Sequence, residues 1–324
     1  MSFQFRPAKR ENVGLIIGLA GASGSGKTYT AMRLASGISG DKPFAVIDTE
    51  AGRAKHYAEQ FRFDHGDLKP PFRPDAYTEA IKAADAAGYP VIVVDSASHV
   101  WAGEGGILDW QEEELNRMAG DDWKKREACK MAAWIKPKGQ HKRMVQSLLQ
   151  VRAHLILCFR AEEKLEMSRD DKGKMQIAKK QGATGLDGWF PICEKNLPYE
   201  LTASFLLLAT KPGVPHPIKL QEQHRALFPH DKPITEESGK RLSEWASGAT
   251  SPSDGVPLPH ASTGAPTFDD DRATLEGIGS LGALQAKFGE LWQAAKGDDI
   301  RRAALRTIYE ACKHAIQDAE QEAA

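Results

Sequence analysis

One eight-residue turn limits what this chain can fold into more than any other feature of its sequence. Residues 21–28 read Gly-Ala-Ser-Gly-Ser-Gly-Lys-Thr, which is the full G-x-x-x-x-G-K-T pattern. The turn follows an apolar run over Gly14–Ala20 and precedes a helical pattern over Lys27–Ser39. This order is typical of a phosphate-binding loop between a strand and a helix. The sequence therefore predicts an α/β domain that binds a nucleotide.

The chemistry of phosphate binding explains each residue type in this turn. Glycine lets the backbone approach a phosphate because no Cβ stands in the way, and the following helix points its positive end at the anion. Lys27 is expected to reach the β- and γ-phosphates, where its charge also assists catalysis, and Thr28 to offer its hydroxyl to Mg²⁺. The predicted ATP ligands in this turn are Gly21, Ser23, Gly24, Ser25, Gly26, Lys27, Thr28 and Tyr29.

Short apolar runs alternate with helical patterns after this turn, which indicates βαβ units and a mostly parallel sheet. A crossover helix is predicted at Tyr77–Ala87. Between Trp101 and Val151 the pattern is helical and charged, and we expect Trp110, Trp123 and Trp134 to supply its apolar contacts. The further predicted strands are Phe44–Asp48, Pro90–Asp95, His154–Phe159 and Glu200–Leu208.

The length of 324 residues allows one α/β domain and a smaller module, since domains run to about 100 to 200 residues. Composition changes near Ala246, after which Ser, Pro, Gly, Ala and Thr dominate without periodicity, as in a flexible linker. Apolar residues then recur at helical spacing from Leu275 to Trp292 and from Ile300 to Ile316. We therefore expect a core over 1–246, a linker over 247–267 and a module of two antiparallel helices over 268–324.

Charge and cysteine content limit the kinds of function that this protein can have. The formal net charge of -1 excludes a polybasic protein that coats nucleic acid by bulk charge, so any such contact must come from local patches. The four cysteines lie far apart without zinc-ligand spacing, as expected of reduced thiols in the cytosol. Because the chain has no apolar run of membrane-spanning length, we expect a cytoplasmic protein that does not contact a membrane.

Two carboxylates at predicted strand ends are candidates for the chemistry of hydrolysis. Asp95 ends a buried apolar strand, which suits the aspartate that holds Mg²⁺ through water. Ser96 follows Asp95, so the water-activating glutamate often found at that position is missing. Glu50, just after the Phe44–Asp48 strand, is our candidate for the catalytic base. The alternative is that Asp48 and Glu50 only cap the following turn.

The strands that end in Asp48 and Asp95 resemble the RecA-type recombinase core. The segments Gly18–Thr28 and Cys193–Glu200 more closely resemble phage-encoded RecA-like ATPases of the single-strand annealing and recombination group, and the resemblance covers roughly Lys9 to Leu227. It implies a RecA-like fold in which Glu50 activates water and Tyr57 stacks on adenine. RecA proteins carry Asn-Gln at the end of the fourth core strand, where this chain has Cys158-Phe159-Arg160, so Arg160 is the candidate for sensing the γ-phosphate or touching DNA.

The same resemblance implies single-stranded DNA as a partner and a homo-oligomer, either a ring or a filament. The candidate DNA-binding residues are Lys124, Lys125, Arg126, Lys179 and Lys180. Both basic segments also have a simpler explanation as solvated charged surfaces. Lys179 and Lys180 have a further possible role in the nucleotide site of a neighbouring subunit. Phe5–Ala8 fits a Phe-x-x-Ala tether to such a neighbour, against the alternative of an edge strand or a disordered leader.

These features together predict an ATP-dependent, DNA-binding phage recombination protein in the bacterial host cytoplasm, acting as an annealing protein or a recombinase mediator. We expect DNA to stimulate ATP hydrolysis, and the C-terminal helices to bind a phage or host DNA-processing protein. The alternatives are another P-loop motor, such as a packaging ATPase or a helicase loader, and a small-molecule kinase. A kinase normally has an arginine-rich lid, which we do not identify in this sequence.

Overall fold

The chain divides into two compact units, residues 1–253 and residues 254–324, which are described separately. The predicted linker lies outside the described residues except for its first two positions, and the predicted tether Phe5–Ala8 lies wholly outside them. The computed structural model describes residues 14–169, 175–180, 188–248, 269–276, 278, 280–296 and 298–322.

All strands in the described residues belong to the first unit. Six of them, β1, β2, β3, β4, β5 and β9, run parallel in one sheet, and β10 and β8 are antiparallel additions. The strands are β1 (Ile16–Gly21), β2 (Phe44–Asp48), β3 (Phe63–Asp67), β4 (Val91–Asp95), β5 (His154–Glu163), β6 (Leu165–Arg169), β7 (Met175–Lys179), β8 (Trp189–Pro191), β9 (Ala203–Leu208) and β10 (Lys211–Lys219).

The main sheet has the strand order β10-β9-β1-β5-β4-β2-β3, with β8 paired to β5. Strands β6 and β7 form a separate antiparallel pair. One strand, β5, therefore lies between β1, which leads into the glycine-rich turn, and β4, which ends in Asp95. The predicted fold class, an α/β core with a central, mostly parallel sheet and additional C-terminal helices, is confirmed.

Helices cover both faces of this sheet. Three short 3₁₀ helices lie at Arg53–Tyr57, Ala132–Trp134 and Glu222–Leu227. The α-helices of the first unit are α1 (Lys27–Ser39), α2 (Pro74–Ala86), α3 (His99–Ala102), α4 (Ile107–Ala119), α5 (Trp123–Cys129), α6 (Ile135–Leu148), α7 (Leu197–Glu200) and α8 (Glu236–Ala246). The second unit contains α9 (Asp269–Glu276), α10 (Leu281–Ala294) and α11 (Asp299–Glu322).

Side-chain alternation along the buried strands separates two apolar cores. In β4, Val91 and Val93 pack on the face covered by α1 and α8, whereas Ile92 and Val94 pack on the face covered by α2 and α6. All of these valine and isoleucine side chains are fully buried. A strand buried on both faces reads as a continuous apolar run, which is why the sequence located β4 correctly.

Helices α1 and α8 pack closely because each has a glycine at their contact. A Cβ built on Gly37 would lie 1.9 Å from the carbonyl oxygen of Glu236, and one on Gly239 would lie 2.3 Å from that of Leu34. The Arg33 guanidinium donates to both carboxylate oxygens of Glu236 at the same contact. This packing fixes α1, and therefore the start of the helix that follows the glycine-rich turn.

Several sequence expectations need correction. Strands β3 and β10 are not predicted, because β3 reads Phe-Asp-His-Gly-Asp and β10 contains three prolines, as edge strands permit. Strand β5 extends four residues beyond Phe159 because β8 pairs with its end. Trp123 is 72% exposed and is not a core contact, although Trp110 and Trp134 are partly buried. The described part of the second unit contains three helices, where two were expected.

The second unit has a small apolar core of its own. Leu284 of α10 packs with residues of α9 and α11. The buried residues of this core are Leu275, Leu284, Ala295, Leu305, Ile308 and Cys312. Arg301 of α11 donates two hydrogen bonds of 2.7 Å to Asp271 of α9. Within the part of the chain that the structure describes, no helix combines the length and apolar character needed to span a bilayer.

Candidate functional site

The carboxyl ends of four neighbouring strands meet at one edge of the sheet. Gly21 at the end of β1 pairs with Arg160 of β5, and Asp95 at the end of β4 pairs with Cys158 of β5 and Asp48 of β2. In open α/β sheets ligands bind in the crevice outside the carboxyl ends of the strands. The chemistry-bearing residues of the sequence therefore converge on the edge where a ligand is expected.

The glycine-rich turn bridges β1 and α1 in a conformation that requires glycine. Gly24 and Gly26 have φ angles of 78° and 80°, in the left-handed region that glycine adopts without strain. Ser25 is fully buried, and its hydroxyl donates to the carbonyl oxygen of Ala22 at 2.8 Å. The structure thus places the Ser25 side chain beneath the turn, where it braces the loop, and not among the cavity-lining ligands.

Lys27 and Thr28, the first residues of α1, face the same space as Asp95. The Lys27 ammonium donates to the Ala22 carbonyl oxygen at 2.9 Å. Burial lowers the pKa of Lys27, although the charges of Asp95 and Glu50 oppose the shift. The Thr28 hydroxyl donates to Oδ2 of Asp95 at 2.5 Å. Burial raises the pKa of Asp95 to about 6, against the hydrogen bond from Thr28 and the charge of Lys27.

A cavity of about 600 Å³ opens at this edge of the sheet. It collects every residue predicted to touch the nucleotide or the metal except Ser25. It also contains Arg53, which the sequence analysis did not single out. The lining residues are Gly21, Ala22, Ser23, Gly24, Gly26, Lys27, Thr28, Tyr29, Glu50, Arg53, Tyr57, Asp95, Arg160, Ala161 and Ile192.

Glu50 is held in this cavity by two arginines. Arg53 donates to one carboxylate oxygen at 3.0 Å, and Arg160 donates to the other at 2.8 and 3.1 Å. Burial alone would raise the pKa of Glu50, but the hydrogen bonds and charges of Arg160 and Arg53 outweigh it and lower that pKa. Glu50 is therefore ionised at neutral pH. Arg53 lies three residues after Glu50, which is the sequence signal that could have identified it.

Asp48 has a different role from Glu50. Its carboxylate is 1% exposed and accepts the backbone N–H groups of Glu50 at 2.6 Å and Ala54 at 2.9 Å. His65 lies 3.2 Å from the same carboxylate. Asp48 therefore caps the turn and the following 3₁₀ helix, as the alternative interpretation expected, whereas Glu50 faces the cavity.

The mouth of the cavity is aromatic. The ring of Tyr29 lies 5.8 Å from that of Tyr57 and 5.6 Å from that of Phe61, measured between centroids. Tyr29 is 42% exposed, so part of this aromatic surface is open to a ligand. Flat aromatic surface of this kind suits stacking with a nucleobase.

Comparison with known families identifies this region. A family model described as an AAA domain matches residues 14–191, more than half of the chain. The chain belongs to the AAA domain family. Among solved structures, a KaiC-like protein from the hyperthermophilic archaeon Pyrococcus horikoshii OT3 is similar over 55% of this chain and 84% of its own, at 13% identity and a TM-score of 0.27. A TM-score at this level carries no functional information. No curated protein matches the sequence.

The AAA domain contains residues that fit a Mg²⁺ ion. Thr28 supplies a hydroxyl oxygen and Asp95 a buried carboxylate beside it, which is the pairing that P-loop proteins use. Within the described residues, no cluster of three or more His, Cys, Asp or Glu side chains forms a metal site by itself. Mg²⁺ is usually held by one or two protein groups together with substrate phosphates and water, so the Thr28 and Asp95 pair suffices.

The predicted DNA-binding residues of the AAA domain lie on α5 and at the end of β7, with Lys180 directly after that strand. Lys124 and Lys125 are exposed on α5, and the Lys124 ammonium lies 5.7 Å from the centre of the exposed Trp123 ring. Arg126 is instead engaged by α4, where it donates to Asn116 and Glu112. Its guanidinium is thus shared with contacts inside the protein, and the role of Arg126 in DNA binding stays a prediction.

The other two predicted DNA-binding residues, Lys179 and Lys180, also make contacts within the protein. Lys179 pairs with Glu163 of β5 at 2.7 Å, and the Lys180 ammonium lies 5.8 Å from the centre of the Phe190 ring. The Lys164 ammonium lies at the same distance from that ring. These contacts place Lys179 and Lys180 against the end of β5 and β8. Lys172 and Lys174 of this segment lie outside the described residues.

Proposed function

We propose that this AAA-domain protein hydrolyses ATP with Mg²⁺ and acts on single-stranded DNA in recombination, by annealing strands or by mediating a recombinase. The observation that supports hydrolysis is the convergence of Lys27, Thr28, Asp95 and Glu50 on one cavity at the carboxyl edge of the sheet. In this order they supply a cation that binds the phosphates, a hydroxyl and a carboxylate that bind the metal ion, and a general base.

The first task of the site is to bind the triphosphate. The Lys27 ammonium, which donates to the Ala22 carbonyl in the free protein, exchanges this partner for phosphate oxygens. The backbone N–H groups of the glycine-rich turn and the positive end of α1 add to the attraction. Bound Mg²⁺ neutralises charge that develops on the phosphates during transfer. Tyr29 and Tyr57 give the adenine an aromatic surface at the cavity mouth.

The second task is to activate water. Among the described residues, Glu50 is the one carboxylate besides Asp95 that lines the cavity, and its lowered pKa keeps it ionised. In the free protein one oxygen of Glu50 accepts two hydrogen bonds from Arg160 and the other accepts one from Arg53, so the second oxygen keeps a lone pair that can accept a hydrogen bond from water. Arg53 and Arg160 have exposed side chains in the same cavity, where phosphate oxygens compete for them. A water molecule then gives a proton to Glu50 while the water oxygen attacks the γ-phosphorus. The bond between the γ-phosphorus and the ADP oxygen breaks in the same step.

The support for single-stranded DNA comes from α5. Trp123 offers 72% of its surface to solvent, and the exposed Lys124 and Lys125 follow it on the same helix. In the described part of the chain neither lysine pairs with a carboxylate, unlike Lys130 and Lys136 nearby. Exposed aromatics with adjacent free cations suit a single strand, whose bases stack while its phosphates meet the charges.

ATP hydrolysis measured with and without single-stranded DNA tests this function. We expect Mg²⁺-dependent hydrolysis that single-stranded DNA accelerates, and we expect Trp123→Ala with Lys124→Ala and Lys125→Ala to lose the acceleration while basal hydrolysis stays. Hydrolysis that no DNA affects, in a protein that also fails to bind single strands, would favour a different P-loop motor. Phosphate transfer to a small molecule in place of water would favour a kinase.

The proposal extends to assembly and to the C-terminal module. We propose a homo-oligomer, ring or filament, whose members act together on one DNA strand. The three-helix second unit is proposed to bind a DNA-processing protein. Removal of residues 247–324 should leave a folded ATPase, because every strand of the described sheet precedes this region. Loss of ATP binding in a soluble truncated protein would contradict this division of roles.

A further inference from the structure

A buried hydroxyl joins the two chain segments that carry the candidate carboxylates. Thr49 precedes Glu50 and is 7% exposed, and Ser96 follows Asp95 and is 1% exposed. The Thr49 N–H donates to the Asp95 carbonyl oxygen at 2.8 Å, and the Ser96 N–H donates to the Thr49 hydroxyl oxygen at 2.8 Å. The ends of β2 and β4 are therefore tied together beyond the sheet itself.

The same hydroxyl also makes a short contact with the ring of His99. Since Thr49 Oγ1 already accepts from Ser96, its own proton must go to another group. Nδ1 of His99 lies 2.7 Å away, whereas the Ser96 carbonyl oxygen lies 3.2 Å away and already accepts from the Tyr77 hydroxyl at 2.9 Å. The shorter of these two contacts therefore joins the Thr49 hydroxyl to Nδ1 of the His99 ring.

The His99 ring is itself held in place. It stacks on Phe72 with 5.0 Å between ring centroids and an interplanar angle of 28°. Burial lowers the pKa of His99, with the charge of Arg160 adding to the shift and that of Glu50 opposing it. The ring is therefore neutral at neutral pH, held between Phe72 and the Thr49 hydroxyl.

We propose that His99 is a positioning residue for hydrolysis, which acts through the Thr49 hydroxyl to hold the segment bearing Glu50 in register with the segment bearing Asp95. This inference rests on the proposed role of Glu50 as the base. Neither His99 nor Thr49 lines the nucleotide cavity, so neither touches ATP.

The expected consequence is a loss of turnover without a loss of affinity. The Glu50 backbone is anchored on one side by Asp48, which accepts its N–H, and on the other by Thr49. Releasing the Thr49 anchor lets the carboxylate drift relative to the phosphates, and misplacement by about 1 Å costs up to about 100-fold in rate. Binding groups on the glycine-rich turn lie on a different segment and are unaffected.

The test uses disruptive and conservative variants of both residues. Thr49→Val removes the hydroxyl at nearly constant shape, and His99→Phe keeps a ring against Phe72 without the acceptor. We expect each to lower kcat by about tenfold with ATP affinity close to the parent's. Thr49→Val should also lower the thermal midpoint, because it leaves the buried Ser96 N–H without its acceptor. Thr49→Ser keeps the hydroxyl, and His99→Asn places an amide oxygen near the Nδ1 position, so both should recover most of the turnover. If Thr49→Val does not fold, the comparison of His99→Phe with His99→Asn tests the positioning role of His99 by itself.

The double variant separates a shared role from two independent ones. If His99 acts through Thr49, Thr49→Val with His99→Phe should lose about tenfold, as each single variant does, because the second change removes a contact already lost. A loss of about 100-fold, the product of two independent effects, would overturn the inference. So would normal turnover in His99→Phe while Glu50→Gln is inactive. Normal turnover in Glu50→Gln would instead contradict the proposed function itself.

Discussion

The Thr28 hydroxyl donates a 2.5 Å hydrogen bond to the carboxylate of Asp95, from the first turn of α1 to the end of β4. This contact joins the two predicted metal ligands before any ligand arrives. Asp95 is 7% exposed, so the same contact leaves a carboxylate in a largely dry environment. The site is thus preassembled, and its ionised carboxylate costs the free protein stability.

Asp95→Asn should stabilise the free protein at pH 7.5 and remove the extra stabilisation that ATP with Mg²⁺ gives. Burial raises the pKa of Asp95 to about 6 from an ordinary 3.8, so the folded state binds more protons than the unfolded state between these values. Stability of the parent therefore rises as the pH falls through this window. Thermal melts of parent and variant at pH 7.5 and pH 5 measure the effect.

The difference between the two proteins should shrink at pH 5, because Asp95 is then mostly protonated and resembles the amide. Asp75→Asn, on the exposed start of α2, is the matched control and should show no such pH-dependent gain. If Asp95→Asn were less stable than the parent at pH 7.5, the ionised Asp95 carboxylate would not destabilise the free protein, against this prediction.

Lys27→Ala should reduce ATP affinity by about 10- to 100-fold, the worth of charge-assisted hydrogen bonds. The fold should survive, because the hydrogen bond that the Lys27 ammonium makes among the described residues is to the Ala22 carbonyl of the same turn. Titration calorimetry with ATP and Mg²⁺ measures the change, and Lys42→Ala, an exposed lysine outside the cavity, serves as the control. ATP affinity equal to the parent's would remove Lys27 from the site.

The turn and its flanking elements follow from local sequence, which is why they could be predicted. The pattern at residues 21–28 needs a strand before it and a helix after it, and β1 and α1 are found there. The apolar runs ending in Asp48 and Asp95 are likewise strands at the predicted positions. In these cases burial on both faces of the sheet makes the strand visible in sequence.

Features that depend on distant contacts were missed. Arg160 was expected near a strand end, but β8 pairs with Ala161–Glu163 and extends the strand past it. Arg126 resembles a free cation in sequence, and only the packing of α5 on α4 brings it to Glu112. Arg53 likewise reads as a solvated residue until the turn after Ala51, which has a φ of 57°, directs it back to Glu50.

Neutralising Lys124 and Lys125 should weaken single-strand binding and flatten its dependence on salt. Each lost phosphate contact lowers the slope of log affinity against log salt by about 0.7, so the double variant should lose about 1.4. Lys130→Ala with Lys136→Ala removes the same charge from lysines already paired with carboxylates, and should change the slope less. Equal slopes for the parent and both variants would place bound DNA elsewhere.

Gly37→Ala should destabilise the first unit by about 1 to 3 kcal/mol, the usual cost of overpacking. Its new Cβ would lie 1.9 Å from the Glu236 carbonyl oxygen, so α8 would have to shift. Gly139→Ala, in the interior of α6, is the matched control, since nothing lies within 4 Å of its added Cβ. Alanine should stabilise that helix by about 1 kcal/mol. Chemical denaturation of both variants measures the contrast, and equal effects would contradict the close packing of α1 on α8.

The central claim is that Glu50 activates water for ATP hydrolysis, and Glu50→Gln tests it most directly. The amide keeps the size of the side chain but cannot take a proton, whereas Glu104→Gln makes the same change outside the cavity. With ATP, Mg²⁺ and single-stranded DNA saturating, we predict that Glu50→Gln binds ATP like the parent and hydrolyses it about 10² to 10⁴-fold more slowly. Glu104→Gln should turn over normally. Near-parental hydrolysis by Glu50→Gln would contradict the account.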